Sequence, residues 1–556
     1  MRVLGTLWTV GVPVLAILLG GAVRLRQAVS HRSLWLDEAS IALNVMHRSL
    51  SKLEKPMSYA QSAPVLWLWT ERGLTKIAIS EGWLRLPETI AGIGVLVLTW
   101  LLARQVLPRL LTPLPVIAVA ASSQLIYFSD ELKPYGSDAF CVVLLMVLAL
   151  RAIPSRRPRL RVRDSLPLAL AVPLTALYSD QALITGAGLL VYLFVLRARA
   201  RDRSGCLQLL AAAAVDVAVL IPYDLVVLRP ASHVAILKTF WHKGFPPVPQ
   251  TLGGTLSWLG HDFLSLARDP MAYSQGPAVV FLVLLACGVV ALALRDPVRT
   301  GVLSVPVAMA VGAAIAGDLP LRARIALGLV PSLATLACGA PVLLAQIASR
   351  VRRRTQDAGR SVAATWTPGR AVASAFGVAA LAALVLISGP QLAFGYRVVG
   401  HPITREETGP LVAFLGRHLR PDQLVAVDAF ASGAWLYYSG RDHLTAQLHM
   451  DFPLGATCGE AAEYRDVREV DPRFRPVWIV TGHLIPKEVP REYDLITERL
   501  SPLGGLGFAR EPGARLYFFT PRRIARLPHR WDSPSSLRCL VLQHGGPGLP
   551  PGLRSS

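Results

Sequence analysis

The chain has 556 residues, 53% hydrophobic and only 17% charged, with a mean hydropathy of +0.44. Soluble domains carry about 25% charged residues, so this composition excludes an ordinary soluble enzyme and points to a polytopic membrane protein. The net charge is +21. The arginines gather in short loops between apolar runs, the positive-inside pattern of membrane proteins, so the charge argues for contact with anionic lipid and against a nucleic-acid partner.

Eleven apolar runs near the ~20-residue spanning length predict helices. They lie at about 4–23, 87–107, 113–129, 135–153, 166–179, 181–196, 206–228, 276–294, 300–316, 324–348 and 370–390. Three basic loops fix the orientation: Arg151 with Arg156, Arg157, Arg159, Arg161 and Arg163; Arg197 with Arg199, Arg201 and Arg203; and Arg350 with Arg352, Arg353 and Arg354. With eleven helices all three share one side, which is the cytoplasmic one, and the N-terminus lies there too. Arg24, Arg26 and Arg32 argue against this orientation and are outvoted. The chain is therefore expected in a cell membrane, multi-pass, and its Ala-, Arg- and Leu-rich usage suggests a bacterial plasma membrane.

This topology puts two long loops outside, at 24–86 and 229–275, the second with Trp241, His242 and Lys243, which read as ordinary interface residues. Residues 1–395 form the transmembrane domain. Residues 396–520 have soluble composition. There Leu424–Val427 and Val477–Val480 read as buried parallel-type strands and Thr408–His418 as an amphipathic helix, giving a small extracytoplasmic α/β domain. Residues 521–556 are rich in Pro, Gly, Ser and Arg and read as a disordered tail. The six cysteines show no zinc spacing and no Cys-x-x-Cys. Cys141, Cys206, Cys287 and Cys338 fall in or beside apolar segments, while Cys458 and Cys539 are both external and able to pair.

Four polar clusters fall on the outer face. They are Asp37 with Glu38, the run Ser129-Asp-Glu-Leu-Lys-Pro-Tyr135, Ser179-Asp-Gln181, and Arg322 with Arg324. Paired acids are costly inside a bilayer, so Asp37 and Glu38 belong at its surface. Acids and bases on one side of a helical bundle suit a phosphate-bearing, lipid-linked substrate. A carboxylate takes a proton from an acceptor hydroxyl, and cations meet the leaving phosphate. The plainer readings are a helix-capping Asp37, a Glu131–Lys133 ion pair, an interfacial anchor at Tyr135 and a turn residue at Asp180.

Leu34-Trp-Leu-Asp-Glu38 resembles the first-loop motif of GT-C-type membrane glycosyltransferases, the superfamily that includes protein O-mannosyltransferases and lipid A aminoarabinose transferases. Glu81-Gly-Trp-Leu-Arg-Leu-Pro87 resembles its entry into the second helix. Phe128-Ser-Asp-Glu-Leu-Lys-Pro-Tyr135 resembles its aromatic-Ser-x-Glu-x-Arg/Lys-x-Tyr motif, with Lys133 where Arg is common. Arg324 ahead of Pro331 resembles its late Arg-to-Pro element. The resemblance runs in order over residues 1–395.

The resemblance implies a GT-C-like fold and a polyprenyl-phosphate-linked sugar donor. Asp37 is then the general base, with Glu38 beside it, and one displacement inverts the anomeric configuration. Lys133, Tyr135, Arg322 and Arg324 form the donor and phosphate site. Glu131 and Asp180 are candidates to orient these groups or, like Glu38, to bind a divalent cation. The acceptor is a glycan, lipid or protein hydroxyl. The alternatives are a transporter or flippase of lipid-linked glycans, for which Asp216 is the mid-membrane candidate, and a non-catalytic membrane partner protein.

Overall fold

The computed structural model describes residues 2–59, 61–153, 159–232, 240–347, 349, 367–427, 430–441, 476–483 and 504–521. Cys458, Cys539 and the tail after residue 521 lie outside the described residues. The chain divides into two compact units. One comprises Met1–Ser30, Ala63–Glu71 and Arg85–Pro402; the other comprises His31–Ser62, Arg72–Leu84 and Ile403–Ser556.

The first unit is helical. Among the described residues eight helices are long and apolar enough to cross a membrane: Leu4–Ala28, Leu86–Val106, Asp180–Arg199, Arg203–Leu228, Gln275–Arg295, Pro297–Ala316, Ala323–Ile347 and Val372–Gly400. The other three expected spans are helical but shorter, so the count of eleven spans is not reached by length. The span expected at 113–129 is broken. Pro113–Ala121 ends at Ser122, whose hydroxyl accepts from the Leu125 amide and starts a new turn at Ser123–Phe128. Arg24 explains the break. It is fully buried, and its guanidinium donates to the carbonyls of Val119 and Ala120, the end of that helix, and to Gly20. An arginine spent on helix-end carbonyls carries no vote in the loop-charge rule. Val162–Ala176 has only 15 residues and carries Pro167 and Pro173 within it. Tyr135–Ala149 has only 15 residues, nearly all buried, the pattern of a helix enclosed by others. Helices facing outward, such as Leu4–Ala28, instead expose leucines 15, 18 and 19.

The second unit holds a four-stranded sheet of order β1-β2-β4-β3, with β1 at Leu424–Val427, β2 at Val477–Thr481, β3 at Gly504–Glu511 and β4 at Ala514–Pro521. β1 and β2 pair in parallel, as their apolar runs predict, and β4 is antiparallel to β2 and β3. The helix Thr408–His418 forms as expected and buries Leu411, Val412 and Leu415. Trp478 of β2 packs on Phe518, ring centroids 4.4 Å apart and tilted by 34°, and donates its indole N–H to Gln423 across 2.8 Å. The β3–β4 turn needs glycine: Gly513 has φ +65°, and a Cβ there would lie 2.1 Å from the Arg405 carbonyl oxygen. The adjacent Pro512 carbonyl accepts from the Glu407 amide at 2.8 Å, which fixes residues 405–407 against the hairpin.

Candidate active site

In the second unit the acidic pair opens the helix Leu36–His47. Trp35 is its N-cap, so Asp37 is the second helical residue and not the cap. Four consecutive amides enter this helix, and each meets a side-chain acceptor. Ser33 N–H donates to Glu407 Oε2 at 2.9 Å and Leu34 N–H to the Tyr438 hydroxyl at 2.8 Å. Trp35 N–H donates to Glu38 Oε2 and Leu36 N–H to Glu406 Oε2, both at 3.3 Å. Leu34 and Trp35 are buried, so water cannot serve these amides. The Trp35 ring carries the Arg405 guanidinium 3.5 Å over its centre and stacks with His483 at 5.7 Å.

The two carboxylates differ. Glu38 is fully buried and lies 3.6 Å from the Arg32 guanidinium. This contact removes Arg32, like Arg24, from the surface charge. Asp37 is half-buried, and its Oδ1 accepts from the Gln61 amide at 3.3 Å. Glu38 is thus the more enclosed of the two carboxylates.

In the first unit the loop before Tyr135–Ala149 brings Asp130, Glu131, Lys133 and Tyr135 together, all buried. Glu88, which sequence reasoning passed over, organises the start of that helix. It accepts from Ser137 N–H at 2.9 Å, Ser137 Oγ at 2.5 Å and Trp67 Nε1 at 2.8 Å. A carboxylate suits a helix N-terminus, and Gly136 leaves it room: a Cβ there would lie 2.7 Å from Glu88 Oε2. An acid just inside an apolar span was the available signal.

Arg322 and Arg324 flank Ala323, which has φ +47°, a strained value for a residue with a side chain. The two arginines have different surroundings. Arg322 lies 4.0 Å from Asp262 and donates to the Lys243 carbonyl at 3.5 Å. Arg324 lies over two aromatic rings, Tyr135 at 5.6 Å and Trp241 at 5.5 Å. Trp241 is thus not simply an interface residue. Its loop is docked by Leu321 N–H donating to the Gly244 carbonyl at 2.9 Å. Asp180 is half-buried in the first turn of Asp180–Arg199, next to the N-cap Ser179, whose hydroxyl accepts from Ala182 N–H and donates to Asp138 Oδ1 at 2.5 Å. Gln181 donates to the Ile325 carbonyl, tying this helix to the turn that bears Arg324.

Among the described residues no group of three or more His, Cys, Asp or Glu side chains is placed to hold a metal ion. Glu38 is engaged by Arg32 and the Trp35 amide. Among the described residues, Glu38, Glu131 and Asp180 belong to no such group.

No protein-family model and no curated protein matches the chain. Solved structures do. ArnT from Cupriavidus metallidurans, bound to undecaprenyl phosphate, aligns over 92% of this chain and 98% of its own, with 15% identity and a TM-score of 0.50. The chain has the GT-C fold. The oligosaccharyltransferase AglB from Archaeoglobus fulgidus, in complex with an inhibitory peptide and a dolichol-phosphate, is also similar, at 12% identity over 95% of this chain and 75% of its own, with a TM-score of 0.47. The GT-C fold agrees with the multi-pass helical unit.

Proposed function

We propose that the chain is a membrane glycosyltransferase that moves a sugar from a polyprenyl-phosphate-linked donor to an acceptor hydroxyl on the extracytoplasmic face. The observation that carries this reading is Arg324. Its guanidinium is laid over Tyr135 and Trp241 in the same unit as Lys133, a planar cation suited to a phosphate. The lipid phosphate seen with ArnT is the matching ligand class.

In the reaction Asp37 accepts the proton of the acceptor hydroxyl as that oxygen attacks the anomeric carbon. The bond from this carbon to the phosphate oxygen breaks, and its electron pair leaves with polyprenyl phosphate. One displacement inverts the centre. The charge on the leaving phosphate is met by Arg324 and Lys133. Arg322, already beside Asp262, is the weaker candidate. Glu38, Glu131 and Asp180 orient the groups around them.

The test compares cell-envelope glycans, glycolipids and glycoproteins by mass spectrometry in cells with the gene, without it, and complemented by Asp37→Asn. A sugar missing from both the deletion and the Asp37→Asn strain supports transfer. Asp216, buried in the apolar helix Arg203–Leu228, favours the second reading, transport of a lipid-linked glycan. Accumulation of the lipid-linked sugar in the deletion strain, with full rescue by Asp37→Asn, would select it.

A further inference from the structure

We infer that the C-terminal part of the chain is a positioning element for catalysis, with Glu406, Glu407 and Tyr438 holding the main chain that aims Asp37. The inference rests on the reading of Asp37 as the base.

Three of the four amides at residues 33–36 are bound by side chains 370 or more positions later in the chain. A fourth link runs the other way, with Gly409 N–H donating to Ser33 Oγ at 3.1 Å. Docking a loop for stability alone needs only apolar packing. These bonds instead grip successive backbone groups, and such a grip sets register. A slip of one residue would put Leu36 or Glu38 where Asp37 stands. Glu406, Glu407 and Tyr438 are buried, as are Leu34 and Trp35, so the bonds do not exchange readily with water. Two carboxylates at the start of Leu36–His47 also sit at the favourable end of its dipole. They are set in turn by Arg405 over Trp35, by His483 at 3.8 Å from Glu406, and by the Pro512 carbonyl that holds the Glu407 amide. The C-terminal sheet therefore reaches the base through a chain of named contacts, all inside one compact unit.

Misplacing a reacting group by about 1 Å can cost on the order of a hundredfold in rate. Tyr438→Phe deletes one acceptor oxygen and keeps the ring. Glu407→Leu deletes the acceptor for Ser33, while Glu407→Gln keeps one. Each full-length variant is measured for hydrogen exchange at residues 33–47, for binding of undecaprenyl phosphate by native mass spectrometry, and for sugar transfer in the complemented deletion strain. Tyr438→Phe and Glu407→Leu should speed exchange at 33–47 and lower transfer about tenfold or more. Undecaprenyl phosphate binding should stay within twofold, and Glu407→Gln should recover most of the transfer. Parent-level transfer despite faster exchange overturns the inference. So does parallel loss of undecaprenyl phosphate binding, which marks a general loss of fold. Parent-level transfer by Asp37→Asn overturns the base itself, and the positioning role with it.

Discussion

Gln61 donates its side-chain amide to Asp37 Oδ1 at 3.3 Å, and the same nitrogen donates to the Tyr59 carbonyl at 3.1 Å. The second bond fixes which end of the Gln61 amide faces the carboxylate. A donor aimed at a carboxylate sets its direction. Gln61→Leu should slow transfer roughly tenfold, because the base is no longer held in line. A rate equal to the parent's would remove Gln61 from this role.

The acidic pair should separate on substitution. Asp37→Asn keeps size but cannot take a proton, so a folded variant should transfer about 10²–10⁴ times more slowly. Glu38→Gln removes the charge facing buried Arg32, and breaking such a pair costs on the order of 3–5 kcal/mol. Its effect should appear as a lower Tm in detergent, with residual transfer per folded molecule well above that of Asp37→Asn. Equal defects in transfer and stability for both would contradict the division.

The two arginines should also separate. Arg324→Gln should weaken undecaprenyl phosphate binding ten- to a hundredfold, the loss of about 1.5–3 kcal/mol for a charge-assisted contact. Trp241→Ala should weaken it less, since a cation–π contact contributes about 0.5–2 kcal/mol. Arg322→Gln should be the mildest, because Asp262 already takes part of its charge. A larger effect at Arg322 than at Arg324 would exchange their roles.

Asp262, on the helix Leu252–Arg268 outside the spans, is pushed up to about 6 by burial, offset in part by Arg322 and His261. The unfolded chain ionises this group near its ordinary value of 3.8, while the folded chain holds the proton to about 6. The group's contribution to stability is greatest below pH 4 and falls as pH rises through about 6. Asp262→Asn should remove that part of the fall. Melting curves of parent and variant in detergent between pH 4 and 7 will show it, and parallel curves would refute it.

Topology gives a fifth test. The segment 151–165 should be cytoplasmic and position 450 external, because the arginine clusters alternate with the spans. Cysteine-accessibility labelling that finds both on one side would remove the proposed outer face.

The sequence alone determined that the protein is multi-pass and helical, because a bilayer demands long apolar runs and leaves little freedom in how they are written. Eight of the expected spans emerge as full-length helices. The parallel strands Leu424–Val427 and Val477–Thr481 and the helix Thr408–His418 also follow local periodicity. Asp37 and Arg324 stood out because charged residues beside apolar helices are costly enough to be conspicuous. Only tertiary structure decided what surrounds them. The bond from Ser33 to Glu407 spans 374 positions, and Arg324 meets Trp241 through a loop docked by one backbone hydrogen bond. Such pairings leave no periodic trace, since they depend on where the chain returns and not on what adjoins each residue. The break at Ser122 was hidden for the same reason. Its neighbours are apolar enough for a single span, and the arginine that caps the broken end lies 95 residues earlier than Val119.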